Sequence, residues 1–227
     1  GLARKPGMSR DDLLTKNAEI VGGVVDQIIR TSPDTIVVTV TNPLDVMTYL
    51  AWKRSGLPPE RVVGMAGVLD SIRYAHFVAE ALGVSIRDVR TMVLGSHGDS
   101  MVPVPEYSTV NGIPITQLLP KQQIEAITTR TQNSGAEIVA YLKTGSAYYA
   151  PSASVLAMVE SILLDEKRIL PCCAYLRGEY GLKDLFFGVP VELSRQGVHR
   201  VVALDLPQPV LEALTRSARH VRETIEQ

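Results

Sequence analysis

Apolar residues in the first part of the chain recur at helical spacing. Leu13, Leu14, Ile20, Val21, Val24, Val25, Ile28 and Ile29 repeat at three- and four-residue intervals, which predicts an amphipathic helix over residues 10 to about 30. Ser9, three residues before Asp12, forms a box-like N-cap, and Asp11 and Asp12 suit the positive end of the helix. The ten residues GLARKPGMSR are polar and broken by Pro6 and Gly7, so they read as a loop. The next apolar run has a different texture. IVVTVT at 36–41 is continuous, β-branched and stopped by Asn42-Pro43, as expected of a strand buried on both faces of a parallel sheet. A helix over about 43–55 and a short strand at Val62 and Val63 continue the alternation, which points to an α/β, doubly wound arrangement.

A longer helix is expected over about 68–82, with Gly83 as its left-handed C-cap. Beyond Val89 the pattern changes: TMVLGSH, MVPVPEYSTV and GIPI look like short strands joined by Gly and Pro turns. Two helical stretches follow, about 121–143 and 147–165, and then three strand-like runs near ILPCCAYL, GVPVEL and RVVALDL. Leu211, Leu214, Ala218, Val221 and Ile225 place one apolar stripe on a last helix. Antiparallel-looking strands mixed with helices after about residue 67 suggest a second, α+β domain over 67–227, following a first domain over 1–66.

Composition narrows the function classes. With 23 basic against 24 acidic residues, no overall field attracts nucleic acid or an anionic membrane. Three Phe and one Trp offer no aromatic platform for bases, and the longest apolar runs reach about half of a bilayer span. Cys172 and Cys173 are adjacent, poor geometry for an ordinary disulfide, and read as reduced thiols packed in an intracellular, cytoplasmic protein. The four histidines and two cysteines show no metal-ligand spacing.

The candidate chemistry is scattered. His97 stands in LGSHGDS between Gly95 and Gly98, where the backbone can approach a ligand and an imidazole can exchange a proton near neutral pH. Asp70 and Arg73, in VLDSIRY, share a helix face. Asp70 could orient His97, leaving the planar fork of Arg73 to grip a carboxylate. Arg4 and Arg10 flank a Pro-Gly pair in a loop that could close over an anion. Thr41-Asn42-Pro43 ends a parallel strand, where open α/β sheets bind ligands. Singly, each has a plainer explanation: a structural loop histidine, a surface ion pair, a solvated basic loop, a turn asparagine.

In order, RKPGMSR, the strand ending in NP, LDxxRY and GSHGD resemble the malate and lactate dehydrogenase family, most closely the lactate-dehydrogenase-like branch of bacterial malate dehydrogenases. The likeness extends through GSAYYAP and the GVPV strand. It implies an NAD-dependent oxidoreductase of the tricarboxylic acid cycle that interconverts malate and oxaloacetate. His97 matches the acid–base histidine, Asp70 its carboxylate partner, and Arg73 the group that binds the carboxylate next to the reacting carbon. Arg10 matches the loop arginine that polarises the carbonyl. Arg4 falls where substrate specificity is set; arginine there pairs with a second carboxylate, whereas lactate dehydrogenases carry glutamine. Asn42 matches a residue near substrate and cofactor, and Asn17, Val40 and Thr41 match positions lining the nicotinamide. A homo-oligomer, dimer or tetramer, is implied, with helix 10–30 at a subunit contact, and neither nucleic acid nor membrane is a partner.

One departure is large. No GxGxxG is present, and compared with the family the chain lacks on the order of eighty residues, so residues 1–66 are expected to be the C-terminal half of a doubly wound Rossmann-type domain. Two rival readings remain: a lactate or other 2-hydroxy-acid dehydrogenase, and a truncated, non-catalytic subunit.

Overall fold

The computed structural model describes residues 1–2, 10–143 and 147–226, those at 10–13 by their backbone alone. The expected Ser9 cap and Arg4 lie outside the described residues, as does the Arg10 side chain. Helix α1 (Arg10–Thr31) matches the helical period, but its apolar stripe is only partly covered: Val25 is buried, while Ile20 and Val24 stay exposed. Strand β1 (Val37–Thr39) is shorter than the six-residue run that announced it, and Val40 emerges at its end. Helix α2 (Leu44–Ser55) and strand β2 (Val62–Gly64) follow, and β2 lies parallel to β1.

Helix α3 (Gly67–Leu82) ends at Gly83 in the left-handed conformation (φ 66°), as the sequence predicted. The Gly- and Pro-rich stretch becomes short strands β3 (Val89–Arg90), β4 (Val93–Leu94), β5 (Val102–Pro103), β6 (Thr109–Val110) and β7 (Ile113–Pro114), then a single turn α4 (Ile115–Leu118). Long helices α5 (Lys121–Leu142) and α6 (Tyr149–Leu163) precede the antiparallel hairpin β8 (Arg168–Arg177) and β9 (Lys183–Ser194). Strand β10 (Gly197–Val201) and helix α7 (Gln208–Ile225) complete the order. The run RVVALDL supplies only the last two residues of β10; beyond them the chain leaves the sheet, with Val202 donating to Pro190 O at 2.8 Å.

The larger sheet has the order β1-β2-β8-β9-β10. The parallel pair and the antiparallel hairpin are thus one mixed layer, joined where Gly64 faces Cys173. Both faces of β8 and β9 are covered, so both strands read as nearly continuous apolar runs rather than alternating ones. One core packs α3, α6 and α7 on the hairpin through Leu69, Met158, Phe187 and Leu214. A second packs Trp52 and Leu44 of α2 and Val25 of α1 against Phe186 and Cys173. A third joins the far part of α3, through Tyr74, Phe77 and Val78, to α5 and the small strands. Helix α3 therefore runs between cores, and its first turn delivers Asp70 to a place that is 1% exposed. Among the described residues, no helix is long and apolar enough to cross a membrane.

Candidate active site

His97 sits on the 95–100 turn between β4 and β5. The turn is pinned at its start by close backbone packing. Gly95 N–H donates to Gly188 O at 2.9 Å, and a Cβ on Gly188 would run into the Gly95 carbonyl. Gly95 itself takes φ 87°, a conformation that side chains rarely adopt. The next residue is tied to the last helix: Ser96 N–H donates to Ser217 Oγ at 3.1 Å, and the Ser96 and Ser100 hydroxyls meet at 2.7 Å.

The His97 ring then meets Asp70, with Nδ1 2.7 Å from Oδ2. A carboxylate can only accept, so Nδ1 carries the hydrogen and Nε2 is left as the basic nitrogen. Arg73 Nη1 approaches the other oxygen of Asp70 at 3.3 Å. The expected separation of duties between these two residues is therefore incomplete. Among the described residues Arg73 is hydrogen-bonded only through Nη1, and its Nε is buried without a partner. Burial works against the imidazolium, but the Asp70 carboxylate, with a smaller contribution from Asp45, outweighs it and holds His97 above its ordinary value.

On its main-chain side His97 has a partner that sequence reasoning missed. Its backbone N–H donates at 3.0 Å to Oδ2 of Asp45, in the first turn of α2. Asp45 is 4% exposed, and burial pushes its carboxyl up to about 6. Among the described residues its Oδ1 has no partner of good hydrogen-bond geometry, although the Cys173 thiol lies alongside, itself held well above the usual range by burial and by Asp45. An acidic residue in a helix's first turn, two positions after a strand-ending Asn-Pro, was the available signal, but it reads equally as a helix-dipole partner. Ser96, Ser100 and Ser217 were missed as well, because nothing in sequence relates positions 121 apart.

The residues expected on the cofactor side gather around the end of β1. Asn17 of α1 is 1% exposed and bridges two segments. Its Nδ2 donates to Asn42 O at 2.7 Å, and its Oδ1 accepts from Leu2 N–H at 2.7 Å. Val40 is 43% exposed, Thr41 half-buried and Asn42 exposed. Val40 and the start of α6 (Tyr148, Pro151, Val155 and Leu156) line an open, mainly apolar groove of about 570 Å³. Asn42, two residues beyond Val40 and three before Asp45, connects this segment to the start of α2, whose Asp45 reaches His97. Among the described residues, no group of three His, Cys, Asp or Glu side chains forms a metal-binding cluster.

Two family models match the chain: the lactate/malate dehydrogenase NAD binding domain over residues 1–64 and the lactate/malate dehydrogenase alpha/beta C-terminal domain over residues 67–227. A malate dehydrogenase of Pelodictyon phaeoclathratiforme is 56% identical over 98% of the chain, which spans 72% of that protein. The structure of a malate dehydrogenase from Salinibacter ruber superimposes with a TM-score of 0.94 at 54% identity, covering 96% of this chain and 71% of that one. A lactate dehydrogenase from Cryptosporidium parvum, complexed with lactic acid and nicotinamide adenine dinucleotide, gives 0.94 at 37% identity, covering 99% and 73%.

Proposed function

The chain belongs to the lactate/malate dehydrogenase family, and from that premise we propose that it oxidises (S)-malate to oxaloacetate, reversibly and with NAD. The observation that carries the reading is the pair of His97 and Asp70 at 2.7 Å, with Arg73 beside it. The end of β1 suits the cofactor: Val40 presents an apolar surface to an open groove, and Asn42 is exposed where Asn17 holds its carbonyl. Asn17, Val40, Thr41 and Asn42 would line the nicotinamide half, which when bound supplies the hydride acceptor for C2 of malate.

The chain's own residues do the rest. His97 Nε2 takes the C2 hydroxyl proton, and Asp70 keeps the hydrogen on Nδ1 and stabilises the resulting imidazolium. Arg73 holds the C1 carboxylate with its remaining donors, and Asn42 contacts the substrate from the cofactor side. Arg10 steadies charge on the C2 oxygen in the reverse direction, and Arg4 pairs with the second carboxylate; both roles rest on the sequence resemblance. The substrate is then a small dicarboxylate, the setting cytoplasmic, and the reaction one of the tricarboxylic acid cycle. Two free, buried cysteines support the reducing compartment, and the exposed Ile20 and Val24 of α1 support a homo-oligomer, dimer or tetramer.

Comparing oxaloacetate with pyruvate in NADH oxidation tests this reading. Oxaloacetate should be preferred by at least about a hundredfold in kcat/KM, and Arg4→Gln should shrink that preference. Preference for pyruvate would make the chain a 2-hydroxy-acid dehydrogenase of the lactate kind, and no turnover of either would overturn the enzymatic reading.

A further inference from the structure

Asp45 has no part in the roles assigned above, yet it is an expensive residue to keep. It is almost fully buried, it receives the uncharged His97 N–H, and among the described residues its second oxygen lacks a well-placed donor. A buried carboxyl so poorly compensated costs stability that an apolar side chain of similar size would not. Among the described residues, its one hydrogen bond of good geometry goes to the backbone of His97.

We propose that Asp45 is a positioning residue for the reaction: from the first turn of α2 it holds the His97 backbone N–H, and so fixes the point from which the imidazole is presented. The proposal rests on reading His97 as the acid–base group. Asp70 alone leaves a freedom, because a ring held at Nδ1 can pivot about that contact whenever its backbone shifts. Anchoring the main chain as well removes the pivot and sets Nε2 in one place. The two anchors come from different helices, α2 and α3, and α2 follows directly on the Asn42 turn. A displacement of the β1 end would therefore reach His97 through Asp45. The charged and titratable groups near Asp45 are His97, the Cys173 thiol of β8, and, across the imidazole, Asp70 and Arg73.

Amide hydrogen exchange on the full chain, read residue by residue by NMR without substrate or cofactor, tests the anchor. In Asp45→Ala, exchange at the His97 amide should rise about tenfold or more while β8 and β9 amides keep their protection, and Asp45→Asn, which retains an acceptor, should restore most of it. In turnover, Asp45→Ala should lower kcat about tenfold with a smaller change in KM, and Asp45→Asn should recover most of the loss. His97 exchange unchanged in Asp45→Ala would overturn the anchor, and so would unchanged kcat in a chain that turns malate over. Loss of His97 protection, with no turnover in any form including the unsubstituted chain, would support the anchor and overturn the malate reading.

Discussion

The two sides of the candidate site are built in opposite ways. The His97 turn is held from four directions by partners 27, 52, 93 and 121 positions away: Asp70, Asp45, Gly188 and Ser217. The residues beyond β1, about 10 Å of chain at the ordinary rise of a strand, are held mainly by one asparagine, and they leave Val40 and Asn42 open. The proposed proton transfer would need a nitrogen fixed within a few tenths of an ångström, which suits a place where independent elements converge. A surface that must admit and release a flat cofactor does better with few anchors and an open groove.

Three substitutions test this contrast. The largest effect is expected from His97→Asn, which keeps a polar side chain on the turn but removes the proton acceptor: kcat should fall about 10²- to 10⁴-fold, measured by NAD reduction with malate, with the far-ultraviolet dichroism unchanged. Asn17→Ala attacks the other side. It strands the Asn42 carbonyl and the Leu2 amide, so about 2 kcal/mol of stability should be lost in urea denaturation, and KM for NAD should rise more than kcat falls. Ser217→Ala is the mildest, since Ser96 loses one of its turn's several anchors. About 1 kcal/mol in the same denaturation, with kcat reduced less than about threefold, is the expected result. A larger catalytic loss in Ser217→Ala than in Asn17→Ala would reverse the assignment of the two sides.

Much of this was legible in the sequence, and the reasons are physical. The helical period placed α1 and α7 because one-sided burial leaves a stripe, and Gly83 marked the end of α3 because a left-handed residue is cheapest as glycine. His97, Asp70 and Arg73 could be singled out because their residue types limit their chemistry, and the structure brings all three together. The short reach of β1 was not legible, since a β-branched run looks the same whether or not its last residues find a ladder partner. Nor was the end of β10 at Val201, where alternation continues after pairing stops. Asp45 and Ser217 escaped because each acts through a main-chain N–H, and a backbone donor has no sequence signature.

The proposed roles make His97 the acceptor of the malate proton and Asp70 the group that tunes it. The acid limb of kcat/KM for malate oxidation, compared between the unsubstituted chain and Asp70→Asn, tests them most directly. Oxidation needs the neutral imidazole, so activity should rise with pH through the His97 titration, at a midpoint above the ordinary histidine value near 6.5. Removing the carboxylate takes away the main force favouring the imidazolium, so in Asp70→Asn the limb should move to lower pH while the plateau falls about ten- to a hundredfold. A limb that stays where it was in Asp70→Asn would contradict the assignment of His97 as the proton acceptor held by Asp70.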